Sequence, residues 1–164
     1  MLKQVLRSRK LAATAGAVTI YALTGVLLWA QSPDLAIIVN AKNPASNISL
    51  ADLRKTFSGD RRGWDGKETL IIVPAPDTPE RATMLRVIYR MSEVQYKEYW
   101  LGKIFRGEAT SEPVVVVSRR LATDGVAAMS HAIACIPLSE VRGGSVKILK
   151  IDGHSPGENG YPLR

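Results

Sequence analysis

Five short apolar runs, spaced by helical patterns, constrain this chain more than any other feature: Leu35 to Val39, Leu70 to Val73, Val114 to Val117, Ala132 to Ile136 and Val146 to Ile151. A strand without polar alternation has no face it can show to water, so it must be covered on both sides. Helices between successive strands supply that cover. The pattern predicts an α/β sandwich with helices packed on a buried sheet.

The helices between the runs carry their own start and stop signals. Ser49 is placed as an N-cap with Asp52 three residues later, Leu50, Leu53 and Phe57 recur at helical spacing, and Gly59 suits a left-handed stop. Beyond it the polar segment from Asp60 to Gly66 is interrupted by Trp64, which is expected to fold back over the helix. A second helix runs from Pro79 to Tyr89, with Thr78 as N-cap and Met84, Leu85 and Ile88 on one face. A third follows Ser92 and ends at Gly107, with Val94, Tyr96, Tyr99, Trp100 and Ile104 available for burial. A weaker one spans Ser118 to Ser130, diluted by Thr123, Asp124 and Gly125 and capped by Ser118.

The first thirty residues are of another kind. Lys3, Arg7, Arg9 and Lys10 form a basic start, and Leu11 to Trp29 is an uncharged, mainly apolar run of 19 residues ending at Ala30-Gln31-Ser32-Pro33. This reads as an export signal cleaved after Ala30. The run is also close to the roughly 20 residues that span a bilayer, so an uncleaved membrane anchor is the alternative. Either way the remainder lies outside the cytoplasm, in the periplasm or an equivalent compartment. The expected organisation is a signal or anchor over 1–30 and one domain over 31–164.

All 15 acids and 18 of the 22 Lys and Arg lie beyond residue 30, so the domain carries a net charge of about +3. Its cations are scattered among acids, with short pairs only at Arg61-Arg62 and Arg119-Arg120, and this argues against nucleic acid as a partner. Cys135, the only cysteine, sits inside an apolar run and reads as a small buried hydrophobe, not a reactive thiol. His131 and His154 have no metal-ligand spacing, and no nucleophile elbow or glycine-rich phosphate loop occurs. Ser118 with His131 could be imagined as nucleophile and base, but a helix start explains Ser118 better. The expectation is a non-enzyme with neither cofactor nor metal.

Several segments, taken in order, resemble small proteins of the phosphate ABC transporter substrate-binding type. They are Ile37-Ile38-Val39-Asn40 with Asn43-Pro44, the helix Ser49 to Gly59 with Trp64, then Arg81, Tyr99-Trp100, Phe105-Arg106-Gly107, Pro113, Ser118, and Asp152-Gly153 followed by Gly160-Tyr161-Pro162-Leu163. The resemblance implies a type-2 periplasmic binding-protein-like three-layer sandwich of about one lobe. It further implies an extracytoplasmic solute-binding module without catalysis, serving a small polar or anionic solute and an ABC permease. Thr78, Arg81, Ser118 and Arg119 are the candidate ligand contacts, with Arg61 as a further charge partner.

Two departures bear on the ligand. Full-length phosphate binders of this type carry an Arg and a Gly-Ser-Gly-Thr turn where this chain reads Pro74-Ala75-Pro76-Asp77-Thr78-Pro79-Glu80-Arg81. Pro79 removes a donor, and Asp77 and Glu80 place negative charge where an anion would sit, so phosphate itself is disfavoured. The segment Ser130 to Ile136 also lacks the Gly and Tyr usual there. With one lobe in hand, the alternative is an envelope interaction module that has lost its ligand and binds a protein partner.

Overall fold

The structure, a computed structural model, describes residues 34–61, 63–64 and 66–164, and the signal or anchor expected over 1–30 lies outside the described residues. Seven strands and four helices follow one another as β1 (Leu35–Asn40), β2 (Asn47–Ile48), α1 (Leu50–Phe57), β3 (Leu70–Pro74), α2 (Pro79–Met84), α3 (Glu93–Phe105), β4 (Val114–Val116), α4 (Arg119–Ala128), β5 (Ala132–Pro137), β6 (Val146–Ile148) and β7 (Lys150–Ile151). The main sheet has the order β4-β3-β5-β1-β6. Strands β4, β3 and β5 run parallel, while β1 pairs antiparallel with both β5 and β6. So β1 alone opposes the other four.

Residue alternation divides the core between the two faces. Leu35, Ile37, Val39, Ile71, Val73, Ile133 and Cys135 point to one side, where Leu53 and Phe57 of α1, Met84 of α2 and Tyr96 and Trp100 of α3 cover them. Ala36, Ile38, Ile72, Ala134 and Ile136 point to the other side, against Ala122 and Val126 of α4. The small residues on that face let a single helix lie close. Asn40 fastens the layer: its side-chain amide donates to the carbonyls of Val126 and Ala127 at 3.1 and 2.8 Å, capping the free end of α4. This is the predicted three-layer α/β sandwich, with the central strands β1 and β5 buried on both faces.

The local signals act as expected at most ends. The Ser49 hydroxyl accepts from the Asp52 N–H at 3.0 Å, Gly59 stops α1 at a φ of 72°, and Trp64 packs against the larger core. A Cβ at Gly59 would lie 3.1 Å from the Trp100 ring, so close packing adds to the conformational need for glycine. Ser92 and Gln95 form a reciprocal capping box at the start of α3. The run from Pro79 to Tyr89 is helical throughout, but after Met84 it widens into a π turn over Leu85–Tyr89. That turn buries Leu85, Ile88 and Tyr89 together and carries the Tyr89 hydroxyl to the Phe57 carbonyl at 2.7 Å.

Three expectations are corrected. The run Val146 to Ile151 is not one strand: Leu149, fully buried, bonds to the Ile37 carbonyl, and the chain there crosses from the main sheet to a two-stranded parallel ribbon of β7 with β2. Ser118 stands at the N-cap position of α4 with the extended backbone usual there, but its side chain makes no cap hydrogen bond. In α3, Val94 faces solvent, and the position gained by the interior is instead Lys103, whose ammonium reaches the Ser58 carbonyl at 2.7 Å and Asp60 at 2.5 Å.

Candidate functional site

Parallel strands open a crevice beyond their carboxyl ends, because the chain leaves each strand to a helix on one face or the other. Here β3, β4 and β5 end around a cavity of about 230 Å³ walled by Ile72, Pro74, Val116, Val117, Ile136 and Pro137. Its polar groups are few: Thr78, Glu80 and Arg119, with Cys135 beneath. They arrive from the loops that open α2 and α4, so the same features that start the helices position the site.

Glu80 and Arg119 meet inside it. Both Nε and Nη2 of Arg119 donate to Glu80 Oε1, at 3.2 and 2.5 Å. The carboxylate side chain is 6% exposed, whereas the guanidinium side chain is 52% exposed, so the acid lies within and the base at the mouth. Burial pushes the Glu80 carboxyl up, but Arg119, its own backbone N–H and Thr78 outweigh burial and hold it below the ordinary value of 4.5. Oε2 is buried without a hydrogen bond of its own. The Thr78 hydroxyl is committed twice, accepting from the Arg81 N–H at 3.2 Å and donating to the Ala75 carbonyl at 2.8 Å.

Arg81 turns the other way. Its guanidinium forks onto Glu93, Nε to Oε2 at 3.0 Å and Nη2 to Oε1 at 2.8 Å, and its face lies 4.2 Å from the centre of the Tyr96 ring. Burial lowers the Arg81 pKa, yet Glu93 and Tyr96 more than restore it; the Arg81 hydrogen bond in turn holds Glu93 low. Of the four contacts expected from sequence, Thr78 and Arg119 line the cavity, Ser118 is adjacent to Arg119 in the chain, and Arg81 braces α2 against α3 behind it. Arg61 lies elsewhere, paired at 3.6 Å with Asp52 and bordering a larger hollow of about 760 Å³ at the amino ends of the strands. His131 borders that hollow too, at the opposite end of the sheet from Ser118, so the two cannot meet as base and nucleophile.

Sequence reasoning placed Glu80 as an unwelcome charge but did not pair it with Arg119, and it missed Glu93. Neither partnership leaves a local signal, since the members lie 39 and 12 positions apart on different elements. Cys135 is buried, and desolvation pushes its thiol up to about 12, which leaves it protonated and inert at neutral pH. Among the described residues no group of three or more His, Cys, Asp or Glu is placed to hold a metal ion, and no helix is long and apolar enough to cross a membrane.

The two pairs, each with one buried member, set a pH dependence. Glu80 and Glu93 titrate lower folded than unfolded, so their stabilisation is complete above the ordinary glutamate range and is lost as the pH falls through the depressed values. The urea midpoint is expected to drop between about pH 5 and pH 3, and the double variant E80Q/E93Q to flatten that drop. Equal slopes in the two proteins would remove both carboxylates from the account.

No protein-family model and no curated protein sequence matches the chain. Solved structures do match its fold. A candidate phosphate ABC transporter substrate-binding protein from Clostridium perfringens, solved with bound phosphate, aligns with TM-score 0.60 and 16% identity over 76% of this chain and 47% of its own. An ABC-type phosphate transport receptor from Vibrio cholerae gives 0.59 and 18% over 76% and 48%, and PstS from Borrelia burgdorferi 0.57 and 17% over 80% and 54%. The chain spans about half the length of these structures. At such identities the likeness shows the fold alone, a periplasmic binding-protein-like one; the neighbours are described as a substrate-binding protein and a transport receptor.

Proposed function

We propose that residues 31–164 form an extracytoplasmic, non-catalytic solute-binding-like domain, exported by the segment over 1–30, that takes a small polar solute in the crevice of Thr78, Glu80 and Arg119. The observation that carries this reading is the convergence of one acid, one base and one hydroxyl in an otherwise apolar cavity at the carboxyl ends of three parallel strands. Arg119 and Thr78 are the direct contacts in this reading, Ser118 flanks them, and Arg81 holds the loop from behind. The fold shared with phosphate transport receptors supports a transport setting, with an ABC permease as the partner.

Thermal unfolding of the purified full chain against a panel of oxyanions, small organic acids, amines and uncharged polar solutes tests it. At about a hundredfold excess over its dissociation constant the right solute adds about 2.7 kcal/mol and raises the melting temperature by several degrees. R119A should abolish that rise.

One observation favours a second reading, a module that binds another protein. Strand β4 is an edge strand whose Val114 and Val115 are 44 and 48% exposed, with Val117 just beyond its end at 88%, an open row of backbone groups flanked by apolar side chains. A panel without any shift, together with a stoichiometric envelope protein co-purifying with the chain, would replace solute binding with that reading.

A further inference from the structure

We infer that Glu80 is a tethered counter-anion that closes this crevice to free oxyanions, so that the solute it accepts is uncharged or presents a hydrogen-bond donor. The inference rests on the crevice being the solute site. It begins with the charge inventory of the walls: Arg119 is the only cation among the residues lining the cavity, and Glu80 the only anion. Arg119 spends two donors on Glu80 Oε1, and the second guanidinium nearby, Arg81, is committed to Glu93 on the far side of α2. No cation in the cavity is left over for a second anion.

Competition cannot easily undo this arrangement. A phosphate or sulfate entering from solvent would have to displace a carboxylate held in place by the chain, whose effective concentration is at least in the millimolar range. It would then sit beside the displaced negative charge of Glu80, and a like charge at short range is disfavoured. Protonation offers no escape near neutrality, because Arg119 keeps the Glu80 carboxylate ionised. The buried Oε2 points the selectivity the other way, since among the side chains lining the cavity it is a buried acceptor left without a hydrogen bond. The remaining wall of Ile72, Val116, Val117 and Ile136 suits an apolar body.

Removing the carboxylate should therefore create what the wild type excludes. In Glu80→Ala the crevice gains volume beside an unpaired Arg119 and its net charge changes from zero to plus one. Isothermal titration of inorganic phosphate and of sulfate into the wild-type chain, E80A, E80Q and E80A/R119A decides the matter. Saturable binding of either anion is expected in E80A, at least tenfold tighter than in wild type, weaker in E80Q, and absent from E80A/R119A. Wild-type binding within tenfold of E80A overturns the inference, as does failure of folded E80A and folded E80Q to bind either anion. If E80A does not fold, as judged by far-ultraviolet circular dichroism, the isosteric E80Q carries the comparison. The wild-type solute panel is a separate readout: a silent panel with a gain in E80A sinks solute binding as the native role but keeps the exclusion, whereas a phosphate-driven shift in the wild type does the reverse.

Discussion

Replacing Phe57 with alanine is expected to remove about 3–5 kcal/mol of folding stability, the largest single-residue effect we anticipate. The ring is fully buried at the last turn of α1, and it meets Tyr89 edge-on with centroids 6.2 Å apart. Tyr89 meets Tyr96 at 4.8 Å, and Tyr96 meets Trp100 at 6.4 Å, so one continuous run of rings joins α1, the π turn and α3. Truncation opens a void at the head of that run, and neighbours fixed by their own contacts cannot collapse into it. The Phe57 backbone carbonyl, which accepts from the Tyr89 hydroxyl, is retained in the alanine variant, so the loss is one of packing. Equilibrium urea denaturation measures the loss as a lower midpoint at an unchanged slope. Y89F, which deletes only the hydroxyl, should cost about 1 kcal/mol and separates the hydrogen bond from the packing. A loss below that figure in F57A would mean that the ring is not the keystone described.

Glu93→Ala is the second large effect, expected at about 2–4 kcal/mol, and it comes from what the substitution leaves behind. Arg81 is 4% exposed in its side chain while Glu93 is 32% exposed, so the glutamate forfeits little by its own removal. The guanidinium, by contrast, is stranded, with only the Pro74 carbonyl at 3.5 Å and the Tyr96 face to stabilise it. A buried charge without a counter-charge costs more than the pair contributed. The double variant R81L/E93L should accordingly be more stable than E93A, although it carries one more substitution. If the double variant is the less stable of the two, direct attraction and not desolvation governs this pair.

These effects bear on how much could be read from the chain itself. The helix ends were legible because capping is local: Ser49, Thr78, Ser92 and Gly59 act on backbone groups within a few residues. The sheet was legible in its strands but not in its order, since the partners of β1 come from the opposite end of the chain. The break at Leu149 was hidden because Val146 to Ile151 continues one apolar pattern across two sheets. In the crevice, residue types pointed to the loops that line it, yet their directions did not follow. Glu80 and Arg81 are consecutive in a helical turn and so project about 100° apart, one into the cavity and the other toward α3. Which of the two faces the cavity depends on where α3 supplies Glu93, and no local pattern carries that information.

The position of β1 has a consequence for how this protein comes to be made. Its two neighbours in the sheet are drawn from residues 133–137 and 146–148, and its first residue is strapped still later, the Leu35 N–H to the Leu163 carbonyl and the Leu35 carbonyl to the Tyr161 hydroxyl 126 positions away. The strand that leaves the ribosome first is thus the one completed last. Pairings this distant in sequence close slowly, and β1 can find neither of its sheet partners before residue 133 has been made. Until residues 133–148 are made, the larger core that Leu35, Ile37 and Val39 complete stays open, so the chain holds its first strand unpaired for most of its synthesis.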